Sequence, residues 1–301
     1  MKLLDLHGQF PPIPTIFEGG RVSSRFIAEN IARFNDEPLD GYVVLGSNGE
    51  APMLEDDERR EVIRAARKAV APGQRLLIVG TGRESTAAAV RTTKEAFDLG
   101  ADAVLLGVPH YYKPEMKDAV LEQHIRVVAD ASPGPVILYS VPQFSGVPLS
   151  FSLVGALSSH ERIVGIKDSG GDIENVRSLV SAGRSAGRPF SVLIGSARIL
   201  AEGILEGAVG AVLAVANVAP RLCDQIEDLA RSGDSAGARA ANEKLAPLAA
   251  AVTRLHGIGG LKAALDLLHY HGGDPRPPLP PATPQARLEI ASQMRALGLL
   301  T

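Results

Sequence analysis

Residues 161–172 read ERIVGIKDSGGD, and the apolar run Ile163, Val164, Gly165, Ile166 ends on Lys167, where a buried strand asks for an apolar side chain or a glycine. A buried ammonium is costly unless it has a partner or a chemical task. Runs of the same kind recur through the first 215 residues: PTIF near 14, YVVLG at 42–46, LLIVG at 76–80, AVLLG at 103–107, PVILY at 135–139, IVGIK at 163–167, SVLIG at 191–195 and AVLAV at 211–215. Segments with helical spacing lie between them, such as EDDERREVIRAARKAV and ESTAAAVRTTKEAFDLG. Strand and helix therefore alternate with a period of about 30 residues. Alternation implies a parallel sheet, and eight repeats close into a (β/α)8 barrel of the TIM type.

The chain of 301 residues is long for one ordinary domain and typical of one such barrel. After Pro220 the strand signal stops and helical periodicity takes over through LCDQIEDLARSG, AGARAANEKLAPLAAAVTRL and GLKAALDLLHYHG. The expected organisation is a catalytic barrel over 1–220 and a helical C-terminal extension over 221–301. Within the extension, GGDPRPPLPPATP reads as an extended strap ahead of a last helix, QARLEIASQMRAL.

Hydrophobic residues make up 45% of the chain and charged residues 22%, with a formal net charge of −3. No basic excess is present to attract nucleic acid. The opening MKLLDLHGQFPPIP lacks the apolar core of a secretory signal, and no window approaches ~18 uninterrupted apolar residues, so a cytoplasmic protein without a membrane partner is expected. The single cysteine, Cys223, reads as a small buried hydrophobe.

Active sites of (β/α)8 enzymes form at the C-terminal ends of the strands. Four runs end in glycine, at Gly46, Gly80, Gly107 and Gly195, whereas the fifth ends on Tyr139 and the sixth on Lys167. Lys167 at a strand end is expected to act chemically; the alternative is an ion pair with Asp168. Burial favours the neutral amine, which attacks a ketone to form an imine, an electron sink for making or breaking the adjacent carbon–carbon bond. Such chemistry needs a proton carrier, and Tyr139 is placed to be one, unless it is a core tyrosine with its hydroxyl tied to backbone. In GSNGEAPMLEDDER, Ser47 and Asn48 between Gly46 and Gly49 offer a carboxylate cradle, while the spacing Ser47 to Glu50 also fits a helix capping box. The seven histidines show neither HExxH nor a cluster with cysteine, so no metal site is expected; GTGRES and HGIGGLK fit no dinucleotide loop.

These motifs together resemble the dihydrodipicolinate synthase / N-acetylneuraminate lyase superfamily of pyruvate-dependent class I aldolases. The resemblance runs end to end through GSNGEAP, GADAVLLGVPHYYKP, LYSVPQFSG, GIKDSGGD and GAVGAVLAVANVAP. It implies Lys167 as the Schiff-base lysine, Tyr139 as the proton relay, Ser47 as the relay hydroxyl and the Ser47–Asn48 turn as the holder of the pyruvyl carboxylate. Tyr112, the second tyrosine of the YY pair, is implied to reach a neighbouring subunit's site in a homotetramer. Ser169, Ser196 and Val212 are implied to line the pocket, with no cofactor.

Synthases of the superfamily carry an arginine two residues beyond the proline after strand five and read GTTGE in the second-strand turn; here Phe144 and Ser47–Asn48 stand there. GSNGE, YSVP, KDSGGD and AVTRLHGIGGLKAALDLLHYHGG resemble 4-hydroxy-2-oxoglutarate aldolase, which releases pyruvate and the aldehyde glyoxylate. The expected function is thus a class I aldolase on that substrate. The rivals are a dihydrodipicolinate synthase or sugar-acid lyase on the same scaffold, or a silent ligand-binding barrel.

Overall fold

The computed structural model describes residues 4–70 and 73–301; Met1, Lys2 and Leu3 of the opening segment lie outside the described residues. Eight parallel strands form one sheet: β1 (Gly8–Gln9), β2 (Gly41–Val44), β3 (Leu76–Gly80), β4 (Ala103–Gly107), β5 (Val136–Ser140), β6 (Ile163–Asp168), β7 (Ser191–Ile194) and β8 (Gly210–Ala211). Neighbours follow chain order from β2 to β8, and β8 pairs with β1. The last gap is closed just beyond β1, where Val43 N donates to Pro11 O at 3.0 Å and Ile13 N to Val43 O at 2.8 Å. The result is a (β/α)8 barrel.

The first strand is Gly8–Gln9 and not the PTIF run. Pro11, Pro12 and Pro14 lack the N–H groups that a longer ladder needs; the chain instead leaves the barrel, and Phe17–Glu18 pairs antiparallel with Arg21–Val22 in a small hairpin. The eighth strand stops at Ala211, the first residue of the AVLAV run, because a short 3-10 helix, Ala214–Asn217, takes up the rest of it; Asn217 Nδ2 donates to both Pro12 O and Ala214 O. The fifth and sixth strands each run one residue past the expected end, to Ser140 and Asp168.

Helices α1 (Ser24–Phe34), α2 (Asp56–Ala69), α3 (Thr86–Asp98), α4 (Asp118–Ala131), α5 (Pro142–Ser145), α6 (Phe151–Ser158), α7 (Ile173–Ser185) and α8 (Leu200–Leu205) surround the strands. In α2 the acidic residues Asp56, Asp57 and Glu58 open the helix and Arg67 and Lys68 close it, complementing the helix dipole. Alternation along the strands sends Val44, Val79, Leu106, Leu138 and Ile194 outward against the helices. Val43, Ile78, Leu105, Ile137 and Leu193 point inward and fill the barrel. Each such burial contributes about 1.5–3 kcal/mol, so the interior is a packed core whose upper layer can carry chemistry.

Beyond the barrel lie α9 (Pro220–Arg231), α10 (Ser235–Ala250), α11 (Gly257–Leu267) and α12 (Pro284–Ala296). Cys223 on α9 is fully buried, and burial pushes its thiol far above the usual range, leaving it inert. The proline-rich segment runs as a strap between α11 and α12. Arg276 fastens it: both guanidinium prongs reach the Glu58 carboxylate at 2.6 Å, and its backbone N–H donates to Glu50 Oε2 at 2.7 Å.

Candidate active site

A bulge in β6 decides which way Lys167 points. Val136 pairs with Ile163 but Ile137 pairs with Gly165, so Val164 is an extra residue in the ladder. Strict alternation from the outward Ile163 would turn Lys167 outward as well. The extra residue resets the phase, and Lys167 becomes the register partner of Tyr139, whose ring belongs to the barrel interior.

The Lys167 Nζ lies 4.3 Å from the centre of the Tyr139 ring, and both side chains are buried. The Tyr139 hydroxyl is 3.2 Å from Ser47 Oγ, so it is not tied to backbone in the manner of a core tyrosine. Nor does Asp168 neutralise the lysine. It opposes Ser140 one step along the ladder and accepts the Gly170 N–H at 3.2 Å. Burial raises its carboxyl above the ordinary range, opposed by hydrogen bonds from Ser140, Asn175 and Gly170.

Ser47 and Asn48 lie in a tight turn beyond β2, closed by Gly49 N donating to Gly46 O and Glu50 N to Ser47 O, each at 3.1 Å. The alternative, a Ser47–Glu50 capping box, is not formed. Glu50 takes a left-handed backbone with φ of 54° and turns its carboxylate inward; α2 is capped at its N-terminus instead by Glu55 and Glu58, the latter accepting the Glu55 N–H at 3.0 Å. The Ser47 side chain is thereby left facing the tyrosine.

Ser169 follows β6 and is buried, with its N–H bonded to Ser140 O at 2.9 Å. Gly195 makes room for it: a Cβ there would fall 2.0 Å from Ser169 Oγ. Ser196 is half-buried at the end of β7, where a Cβ on Gly171 would lie 3.1 Å from its Oγ. Val212 is buried in the same interior cluster as Tyr139. The strand ends thus bring together Lys167, Tyr139 and Ser47, with Asn48 beside Ser47 in the turn, and set Ser169, Ser196 and Val212 beyond neighbouring strands.

Tyr112 is not gathered with them. It is 69% exposed on the loop beyond β4, edge-on to Tyr111 at 5.0 Å. Glu84 holds that loop, accepting the N–H groups of His110 and Tyr111 at 3.0 and 2.9 Å. Phe144 is 66% exposed on α5, directly after β5.

The profile of the Dihydrodipicolinate synthetase family matches residues 6–297. The chain belongs to that family. Family membership makes it an enzyme of the lyase, aldolase-like kind. It is 36% identical over 265 residues to the 4-hydroxy-tetrahydrodipicolinate synthase of Mycolicibacterium paratuberculosis (strain ATCC BAA-968 / K-10), covering 88% of this chain and 86% of that one. Dihydrodipicolinate synthase from Thermotoga maritima superposes with a TM-score of 0.92 at 27% identity, covering 99% of this chain and all of the other. The chloride-inhibited dihydrodipicolinate synthase of Acinetobacter baumannii, solved with pyruvate, gives 0.90 at 29% identity over 99% of this chain and 100% of its own.

Sequence reasoning missed Glu50 and Lys262 as parts of the site's surroundings. Lys262 lies in α11 and is fully buried, with Nζ 2.6 Å from Glu50 Oε1. The signal was a charge inside the otherwise apolar GIGGLKAAL, a stretch read for its helical period and its glycines but not for its lysine. Among the described residues no three His, Cys, Asp or Glu side chains are grouped as metal ligands, and no helix is long and apolar enough to cross a membrane.

Proposed function

We propose that the chain is a class I, imine-forming aldolase acting on a 2-oxo acid, with 4-hydroxy-2-oxoglutarate as its substrate. The observation that carries this reading is the buried Lys167 amine against Tyr139, whose hydroxyl is in turn 3.2 Å from Ser47 Oγ. The Lys167 nitrogen attacks the C2 carbonyl, and Tyr139 with Ser47 supplies and removes the protons that expel water from the carbinolamine. The C3–C4 bond then breaks as the C4 hydroxyl gives up its proton, releasing glyoxylate and leaving an enamine on Lys167. Protonation at C3 and hydrolysis return pyruvate and the free lysine. The N–H groups and side chains of Ser47 and Asn48 hold the carboxylate next to the carbonyl, and Ser169, Ser196 and Val212 line the rest of the pocket.

The assembly consistent with this reading is a homotetramer in which Tyr112 enters a neighbouring subunit's site. The exposure of the Tyr111–Tyr112 pair on a loop held by Glu84 supports it.

Phe144 separates the aldolase from the synthase. An apolar ring forms no charge-assisted bidentate bond to a carboxylate, and losing one lowers kcat/KM by about two decades. On one preparation, kcat/KM for 4-hydroxy-2-oxoglutarate should exceed that for pyruvate with aspartate semialdehyde by about 100-fold or more. Phe144→Arg should narrow the gap. The 36% identity to a synthase favours the second reading, and efficient condensation by the parent protein would establish it in place of the first.

A further inference from the structure

Glu50 and Lys262 form an ion pair of 2.6 Å in which neither side chain is accessible to solvent. Neither residue touches the reacting atoms of the proposed mechanism. Glu50 closes the turn that carries Ser47 and Asn48, whereas Lys262 lies more than two hundred residues along the chain, on α11. Lys262 Nζ also donates to Asp274 O at 3.1 Å and stands 4.5 Å over the Phe17 ring. The second oxygen of Glu50 accepts the backbone N–H of Arg276 in the strap at 2.7 Å. The turn is therefore fastened from outside the barrel by a helix and a strap.

That fastening meets a need visible in the backbone. Leu45 with φ of 57° and Glu50 with φ of 54° hold the left-handed conformation on either side of the turn, although neither is glycine. Strain of this kind persists only where the surroundings over-determine it. A buried ion pair is a poor way to gain stability, because an apolar pair of similar volume commonly serves as well or better; what it supplies is direction and fixed distance. Burial holds the Lys262 ammonium below its ordinary range, and the facing Glu50 carboxylate opposes that shift.

We propose that the Glu50–Lys262 ion pair is a positioning device that sets the Ser47–Asn48 turn at the distance from Lys167 required to grip the carboxylate of a 2-oxo acid. The inference rests on the imine-forming reading and extends it to two residues that act only through the turn. The helical extension is thereby part of the substrate site, since its α11 supplies one half of the pair.

The test is a titration of borohydride trapping with pyruvate, read by mass spectrometry as the fraction of chain modified on Lys167. It is run on the full-length parent, on Lys262→Met and on the double variant Lys262→Met/Glu50→Gln, with Tm measured for each. Lys262→Met leaves Glu50 buried without its partner, so Tm should fall; in the double variant no charge is buried unpaired and Tm should recover. Both variants should need about tenfold more pyruvate for half-maximal trapping, because the turn has lost its tether, while trapping at saturation stays complete because Lys167 is intact. A merely stabilising pair predicts otherwise: the double variant would regain parental half-saturation together with parental Tm, and that result would overturn the proposal. Unchanged half-saturation in Lys262→Met would overturn it too. If the parent itself gives no Lys167 adduct, the imine-forming reading has failed and the positioning role goes with it.

Discussion

Tyr139 and Lys167 are register partners on adjacent strands, and the Lys167 Nζ stands 4.3 Å from the centre of the Tyr139 ring. The ring gives the amine an apolar, π-rich wall, and the hydroxyl at its far end meets Ser47 Oγ at 3.2 Å. Ring and hydroxyl can be separated experimentally. Tyr139→Phe keeps the wall and removes the proton carrier, so kcat should fall by about 10²–10⁴ while Tm changes little. A loss under about threefold would make Tyr139 a packing residue.

Ser47→Ala should lower kcat by less than Tyr139→Phe, because Tyr139 remains to move protons. If the two hydroxyls form one relay, adding Ser47→Ala to Tyr139→Phe should cause almost no further loss, since groups acting as a unit are not additive. Steady-state kinetics on the four proteins of this cycle measure the coupling. Fully multiplicative effects would mean that the 3.2 Å contact is incidental.

Much of this arrangement was legible in the sequence. Seven of the eight apolar runs fell on strands, and the break in pattern at Tyr139 and Lys167 pointed to two side chains that the barrel sets against each other, since a polar group at a strand end needs a reason. The ends of the sheet were less legible. Prolines near residue 12 and the turn at Ala214 cut short strands that apolar content alone would extend, because hydrogen-bonding capacity, not hydrophobicity, sets where a ladder stops. The bulge at Val164 was invisible, since one extra residue changes register without changing composition. The Glu50–Lys262 pair was hidden by distance along the chain, and the spacing of Ser47 and Glu50 suggested a local cap that a tertiary contact displaced.

The strap should respond to acid. The two bonds from Arg276 hold the Glu58 carboxyl below its ordinary value of 4.5, so this pair contributes stability that is present above that value and is lost as pH falls through the lowered one. Tm of the parent should therefore drop as pH falls below 4.5, with part of that drop due to Glu58. In Arg276→Met the neutral-pH Tm should be lower and the acid limb shallower. Parallel limbs in the two proteins would place the acid sensitivity elsewhere.

Subunit mixing addresses Tyr112. If its ring completes a neighbour's site, Tyr112→Phe and Lys167→Ala chains, each weak alone, should regain activity on exchange, because some sites then hold both intact residues. Failure to recover despite exchange demonstrated by native mass spectrometry would assign Tyr112 to its own subunit or to no site.

The central claim is that Lys167 is the nucleophile, and trapping with a peptide map tests it most directly. The parent protein, incubated with pyruvate and reduced with borohydride, should carry one pyruvyl-derived adduct mapped to Lys167, and Lys167→Ala should carry none. Lys262, fully buried and paired with Glu50, and Lys113, beside Gly146 in the Tyr112 loop, are the informative alternatives. An adduct on either of them, or an undiminished adduct in Lys167→Ala, would contradict the account.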